Sequence, residues 1–207
     1  MLHLYYHDRE IAVCEKPRGV LSEGEGAGTM PALLAETLAA KGQRATVYPV
    51  HRLDRGTEGI MVFALTKEAA AALSAQIAEH RTVKEYVAEV CGRPTPDEGR
   101  MEDLLYFDRG RNRSYVVTRE RRGVKRAALR YRVLASENGI SRVAVRLETG
   151  RTHQIRVQFA SRKMPLIGDR AYGAPTAGEI ALRASYLSFA HPTTGELMAF
   201  GECQIND

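Results

Sequence analysis

The sequence predicts an α+β protein built on a largely antiparallel or mixed sheet, and three observations carry that expectation. Most of its apolar segments have strand length and follow one another through short polar turns. Regular helical crossovers between those segments are lacking, which disfavours a doubly wound parallel sheet. Neither G-x-G-x-x-G nor G-x-x-x-x-G-K-[ST] occurs, so the phosphate-cradling backbone of a nucleotide-binding enzyme is missing.

Residues 2–6 and 11–15 read as two short strands joined by the polar turn His7-Asp8-Arg9-Glu10, with Pro17 and Gly19 ending the second. The glycine-rich stretch 24–28 reads as a mobile loop. Thr29 then precedes Pro31 and the apolar positions Leu33, Leu34 and Leu38, and Gly42 closes the run, which is the pattern of a capped helix. Residues 60–65 form a continuous apolar run of strand length. Thr66 starts an alanine-rich helix over 67–79, with Leu73 and Ile77 four apart on one face.

Strands are expected over 83–91, 128–135 and 140–148, the last two joined by Glu137-Asn138-Gly139. Thr149-Gly150 breaks the sheet, and Thr152 can cap a helix that runs to about residue 162. Ile155 and Phe159 give that helix a core face, while His153 and Arg156, three apart, point together elsewhere. Segments 182–190 and 197–205 make a closing hairpin around Pro192-Thr193-Thr194-Gly195-Glu196.

At 207 residues the chain is long enough for a substantial core, in one domain or two intimately packed halves. Hydrophobic content of 44% and charged content of 27% are ordinary for a globular protein. No apolar run approaches the roughly 20 residues that span a bilayer, and no basic leader precedes an apolar stretch, so a cytoplasmic protein without membrane contact is expected. Cys14, Cys91 and Cys203 lie far apart with no CxxC pair and read as free thiols. Of the histidines only His3 and His7 stand four apart, in a strand and turn rather than a helix, so no metal site is expected.

The net charge of +5 is local in origin. Residues 109–132 hold ten Lys or Arg against the single acid Glu120, while the rest of the chain carries 20 basic and 24 acidic residues. Such a run is either a solvated face or the positive surface that a phosphate backbone requires, and Arg119, Arg121 and Arg122 are its densest part.

Two loops concentrate chemistry. His51-Arg52-Leu53-Asp54-Arg55-Gly56-Thr57-Glu58-Gly59 brings an imidazole, carboxylates, guanidiniums and a hydroxyl to the start of a buried strand. Taken alone, Asp54 between two arginines reads more readily as a turn aspartate with surface ion pairs, and a functional reading needs support from elsewhere in the chain. In Leu147-Glu148-Thr149-Gly150-Arg151-Thr152-His153-Gln154-Ile155-Arg156 a turn feeds a helix whose first turns hold four polar groups, among them a guanidinium able to keep a partly buried carboxylate ionised.

Together these segments resemble the RluA class of pseudouridine synthases. His51-Arg52-Leu53-Asp54 with Thr57 and Gly59 is similar to the signature loop of that class, and Lys84-Glu85-Tyr86-Val87-Ala88 to its tyrosine motif. Gly150 through Arg156, with Pro165-Leu166-Ile167-Gly168-Asp169 and Tyr172-Gly173, is similar to its third motif, and Lys16-Pro17-Arg18-Gly19 to its opening KPxG. The chain departs from the pattern at Glu58, where the family usually carries serine.

The resemblance implies the pseudouridine synthase fold, a bent mixed or antiparallel sheet in two halves with a central catalytic cleft. It implies a single catalytic domain over residues 1–207, with KPxG too near the start to leave room for an N-terminal S4 domain. Asp54 would be the essential carboxylate, Tyr86 an active-site aromatic and Arg156 the ion-pair partner of Asp54. Arg52 would enter the RNA stack where the target base leaves it, with His51, Arg151 and His153 also at the RNA. The partner would be ribosomal or transfer RNA, the protein a monomer, and neither a nucleotide nor any other cofactor is required, because the isomerisation of uridine involves no redox change and no incoming group. A non-catalytic RNA-binding factor and a glycoside or nucleoside hydrolase are the competing readings.

Overall fold

The computed structural model describes residues 1–205. The chain divides into two compact units: Met1–Lys84 rejoined by Ala184–Glu202, and Glu85–Arg183 rejoined from Cys203 onward. Among the described residues no helix is long and apolar enough to cross a membrane.

In the first unit β1 (Leu4–His7) and β2 (Ile11–Lys16) form a hairpin. Asp8 closes its turn by accepting from the backbone N–H groups of Glu10 and Ile11 at 2.7 and 2.8 Å. α1 (Met30–Ala39) follows, then β3 (Tyr48–Pro49), β4 (Glu58–Ala64) and α2 (Lys67–Ala78). Strand order is β1-β2-β4-β10, with β3 on β4 and β11 (Leu197–Gly201) on β10 (Leu182–Ala190). Alternate residues place Ile11 and Val13, Ile60, Val62 and Ala64, and Leu187 and Phe189 on one face, where Ala69 and Leu73 of α2 cover them. Each of the larger side chains stabilises the unit by about 1.5–3 kcal/mol on burial.

Both expected helices are present. Thr66 caps α2 as its sequence position suggests, accepting from the Ala69 N–H at 3.1 Å. Thr29 precedes α1, but its hydroxyl donates instead to the Gly26 carbonyl at 3.0 Å, tying the glycine-rich loop to the helix start.

The second unit is an antiparallel meander with a crossover, in the order β5-β9-β8-β6-β7. Its strands are β5 (Val83–Cys91), β6 (Glu98–Asp108), β7 (Arg113–Val117), β8 (Val124–Glu137) and β9 (Ile140–Leu147). β8 and β9 meet at Asn138 and Gly139, both left-handed at φ 51° and 76°, as a two-residue hairpin loop requires. β6 and β7 lie outside the expected strands. In β6 the face bearing Glu98, Arg100 and Glu102 is exposed and only Met101 and Leu105 are fully buried, so its hydrophobic alternation is too weak to read.

α3 (Gln154–Ser161) corrects two expectations. Its core face is not confined to Ile155 and Phe159, since every residue from Gln154 to Phe159 is buried. Nor does Thr152 cap it: His153 occupies the cap position, left-handed at φ 54°, with no capping side-chain bond of its own. Gln154 closes the turn instead, its Oε1 accepting from the Arg151 N–H at 3.0 Å and the Thr149 hydroxyl at 2.8 Å. Val157 packs with Leu105, Ala127 and Tyr172 in a buried cluster.

Candidate active site

The loop before β4 presents Asp54 and is fixed from below. Lys16, wholly buried at the end of β2, donates from Nζ to the carbonyls of Thr57 at 2.6 Å, Pro17 at 3.0 Å and Arg55 at 3.4 Å. Burial pulls its ammonium down to about 8, opposed by the negative charges of Asp54 and Glu58. The Gly19 N–H donates to the Arg55 carbonyl at 2.8 Å, and Arg55 Nε returns a bond to the Gly19 carbonyl at 2.9 Å. The Thr57 N–H closes the turn on the Asp54 carbonyl at 2.9 Å. Gly59, opposite Lys16 in the β2–β4 ladder, has φ 125°, and a Cβ there would run into the Ala184 backbone. Glycine is needed at this position for both reasons.

Around Asp54, which is half-buried, the loop residues divide into supports and exposed groups. His51 is a support: the Val62 N–H donates to its Nε2 at 3.1 Å, and burial pushes its imidazole down to about 3. The ring is therefore neutral at physiological pH with its proton on Nδ1. Arg52 is exposed and pairs with Glu23 at 2.9 Å. Glu58 pairs with Arg18 of the KPxG segment at 3.0 Å, so this chain fills the usual serine position with a carboxylate and matches it with a cation.

In the second unit Tyr86 lies on β5 opposite Val145 of β9, 7% exposed. Arg156 is equally buried and is gripped by Asp169, Nε to Oδ2 at 2.7 Å and Nη2 to Oδ1 at 2.9 Å, a two-pronged pair that fixes the guanidinium plane. Asp169 arrives because residues 165–167 run along β5: the Cys91 N–H donates to Pro165 O and the Ile167 N–H to Glu89 O, both at 2.9 Å. Nothing in the sequence singles Asp169 out as that partner.

Tyr172 has the Arg113 guanidinium carbon 5.0 Å and the Arg156 guanidinium carbon 4.9 Å from its ring centroid. Its hydroxyl accepts from the Ser114 N–H at 2.8 Å and lies 3.0 Å from His153 Nδ1. Burial raises the Tyr172 phenol above its ordinary value. His153 and Arg156 thus share one aromatic neighbour, consistent with their three-residue spacing. Arg151, half-buried, donates from Nε to the Arg126 carbonyl at 3.0 Å.

The basic run proves less one-sided in three dimensions. Segments outside the run supply carboxylates to its β8 members: Glu148, just past β9, reaches Arg130 at 3.2 Å, and Glu98 and Glu102 of β6 reach Arg132 at 3.6 Å and Arg126 at 3.7 Å, while the run's own Glu120 reaches Arg126 at 3.5 Å. Arg119, Arg121 and Arg122 stay exposed on the loop between β7 and β8. The Arg121 guanidinium lies 4.8 Å from the Tyr106 ring centroid, which presents it as a planar cation on an aromatic support.

Residues 10–161 of this chain match the RNA pseudouridylate synthase family. The chain belongs to that family. Its members are isomerases that convert uridine in RNA to pseudouridine, and this chain is one of them. It is 37% identical over 212 residues to the dual-specificity RNA pseudouridine synthase RluA of Escherichia coli, covering 96% of this chain and 91% of that protein. It is 34% identical over 208 residues to the uncharacterized RNA pseudouridine synthase YlyB of Bacillus subtilis, covering 96% and 68%. The structure of human RNA pseudouridylate synthase domain containing 4 superposes with a TM-score of 0.79 at 23% identity, covering 99% of this chain and 88% of that one, and establishes the fold.

Proposed function

We propose that this pseudouridine synthase uses Asp54 as its catalytic carboxylate, Tyr86 as the aromatic against which the flipped uracil stacks, and Arg156 as the cation that keeps Asp54 ionised. The observation that carries this reading is the Asp54 loop itself: a half-buried carboxylate on a backbone pinned by a fully buried ammonium and by reciprocal bonds to the KPxG segment. A reactive group gains most from a rigid support, because misplacement by an ångström costs about 100-fold in rate.

The reaction breaks the C1′–N1 bond, turns the uracil and rejoins it through C5, so product and substrate have the same atoms. A carboxylate serves such a reaction as a nucleophile at C1′, as a stabiliser of oxocarbenium charge or as a base toward a sugar proton. Arg156, oriented by Asp169, and Tyr86, fixed in a β-ladder, both stand on rigid elements suited to receiving an extruded base.

RNA is held, in this proposal, by Arg52, Arg151 and His153 near the chemistry, with His51 contributing from beneath Arg52 as a support of its loop, and by Arg119, Arg121 and Arg122 through phosphates. The substrate is ribosomal or transfer RNA, and the protein works in the cytoplasm. The likeness to an enzyme named for dual specificity, over 91% of its length, supports action on more than one RNA. The test is to incubate the purified protein with ribosomal and transfer RNA fractions separately and to map the mass-silent isomerisation. Conversion in neither fraction contradicts the proposed substrates, and release of free uracil contradicts the proposed chemistry.

A further inference from the structure

We infer that Ser22 is a positioning residue for the isomerisation step, locking the peptide from which Asp54 projects; the inference rests on the reading of Asp54 as the catalytic carboxylate. Ser22 lies thirty-one residues from Leu53 in sequence and meets it in space through both halves of one hydroxyl. Its Oγ accepts from the Leu53 N–H at 3.0 Å and donates to the Leu53 carbonyl at 2.8 Å. A single side chain thereby does what a neighbouring strand does in a ladder, satisfying donor and acceptor of the same residue.

Leu53 directly precedes Asp54. It is 5% exposed and Ser22 3%, so water cannot replace the hydroxyl if it is lost. The bonds described for the other side of the loop come from elsewhere: Lys16 holds Arg55 and Thr57, and Gly19 holds Arg55. Ser22 is what fixes the residue on the amino-terminal side of Asp54. Its own backbone stands on a firm base, because the adjoining Leu21 forms a bridge with Thr29 and its carbonyl accepts from the Met30 N–H at 2.8 Å, at the first turn of α1. The chain of support runs from α1 through Leu21 and Ser22 to Leu53, and ends at the carboxylate.

Removing the Ser22 oxygen introduces no clash and leaves the Lys16 clamp in place. What it releases is the orientation of the Leu53–Asp54 peptide, with a shift in the carboxylate and little change in the surfaces that hold RNA. Ser22→Ala is therefore expected to slow single-turnover isomerisation by about 10- to 100-fold while leaving the RNA dissociation constant within about twofold. Ser22→Thr, which keeps the hydroxyl, should recover most of the lost rate.

Thr37 supplies the control for simple destabilisation. It is 3% exposed in the same unit, accepts from the Leu2 N–H at 3.2 Å and donates to the Leu33 carbonyl at 2.8 Å. Thr37→Ala should lower the thermal midpoint comparably and leave the rate unchanged. All variants are assayed on the full chain, well below every midpoint, beside Asp54→Asn. An inactive Asp54→Asn with Ser22→Ala at the parent rate overturns the role of Ser22. Equal slowing by Thr37→Ala and Ser22→Ala also overturns it, since general loosening would then suffice. An active Asp54→Asn removes the reading of Asp54 on which the inference stands.

Discussion

Replacing Asp169 with asparagine perturbs the most buried ion pair of the third motif. Arg156 and Asp169 are 7% and 1% exposed and share two bonds, so the aspartate charge cannot be replaced by water. Stripping a buried charge of its partner costs about 3–5 kcal/mol, and asparagine, which keeps one acceptor oxygen, should fall at or just below the lower end, about 2–3 kcal/mol. For a protein of this size each kcal/mol corresponds to about 2–4 °C, which predicts a thermal midpoint lower by roughly 4–12 °C. Arg156 should also lose its fixed orientation above Tyr172, 4.9 Å away, and the single-turnover rate should fall with it. Urea unfolding of Asp169→Asn, Arg156→Met and the double variant forms the assay. Because the two residues share one interaction, the double loss should undershoot the sum of the single losses by at least about 1 kcal/mol. Strictly additive losses, or a midpoint unmoved in Asp169→Asn, would refute the reasoning.

Three further outcomes are expected. The folded His51 titrates near 3 against an ordinary value of 6.5, so the unfolded chain binds more protons between those values and stability falls as pH drops through that window. At about pH 4.5 the loss reaches at most about 2–3 kcal/mol. His51→Gln, which keeps an acceptor for the Val62 N–H, should flatten the acid slope of urea midpoints, and an identical slope would show that His51 is not its source. Converting Arg119, Arg121 and Arg122 to glutamine should weaken RNA binding and flatten its log–log salt dependence by up to about 0.7–0.9 for each phosphate no longer neutralised, with turnover of bound RNA little changed. An unchanged affinity and slope would mean that the RNA is held elsewhere. Glu23→Gln should cost under about 1 kcal/mol of stability, because its pair with Arg52 is exposed, yet should tighten RNA binding at low salt by freeing that cation. Weaker binding by Glu23→Gln would contradict this.

The sequence exposes those parts of the molecule that are local in cause. α2 shows in its alanine period and Thr66 cap, the β8–β9 turn in Asn138-Gly139, and the Asp54 loop in its density of reactive types. What stays hidden depends on partners distant in the chain. The basic run looks one-sided because Glu98, Glu102 and Glu148, which meet Arg132, Arg126 and Arg130, come from other segments of the chain. α3 looks amphipathic because the bonds that let Arg156 and Gln158 be buried come from Asp169 and Asp103. Ser22 looks like one more loop serine until the fold brings Leu53 to it. Asp54 stands out by motif, but its rigidity is a tertiary property.

Single-turnover isomerisation by Asp54→Asn tests the central claim most directly. The change preserves side-chain size and removes only the charge, on a loop whose backbone is held independently by Lys16 and Ser22. Folding and RNA affinity should therefore match the parent while pseudouridine formation disappears. Conversion by this variant at more than a small fraction of the parent rate would show that another group carries the reaction.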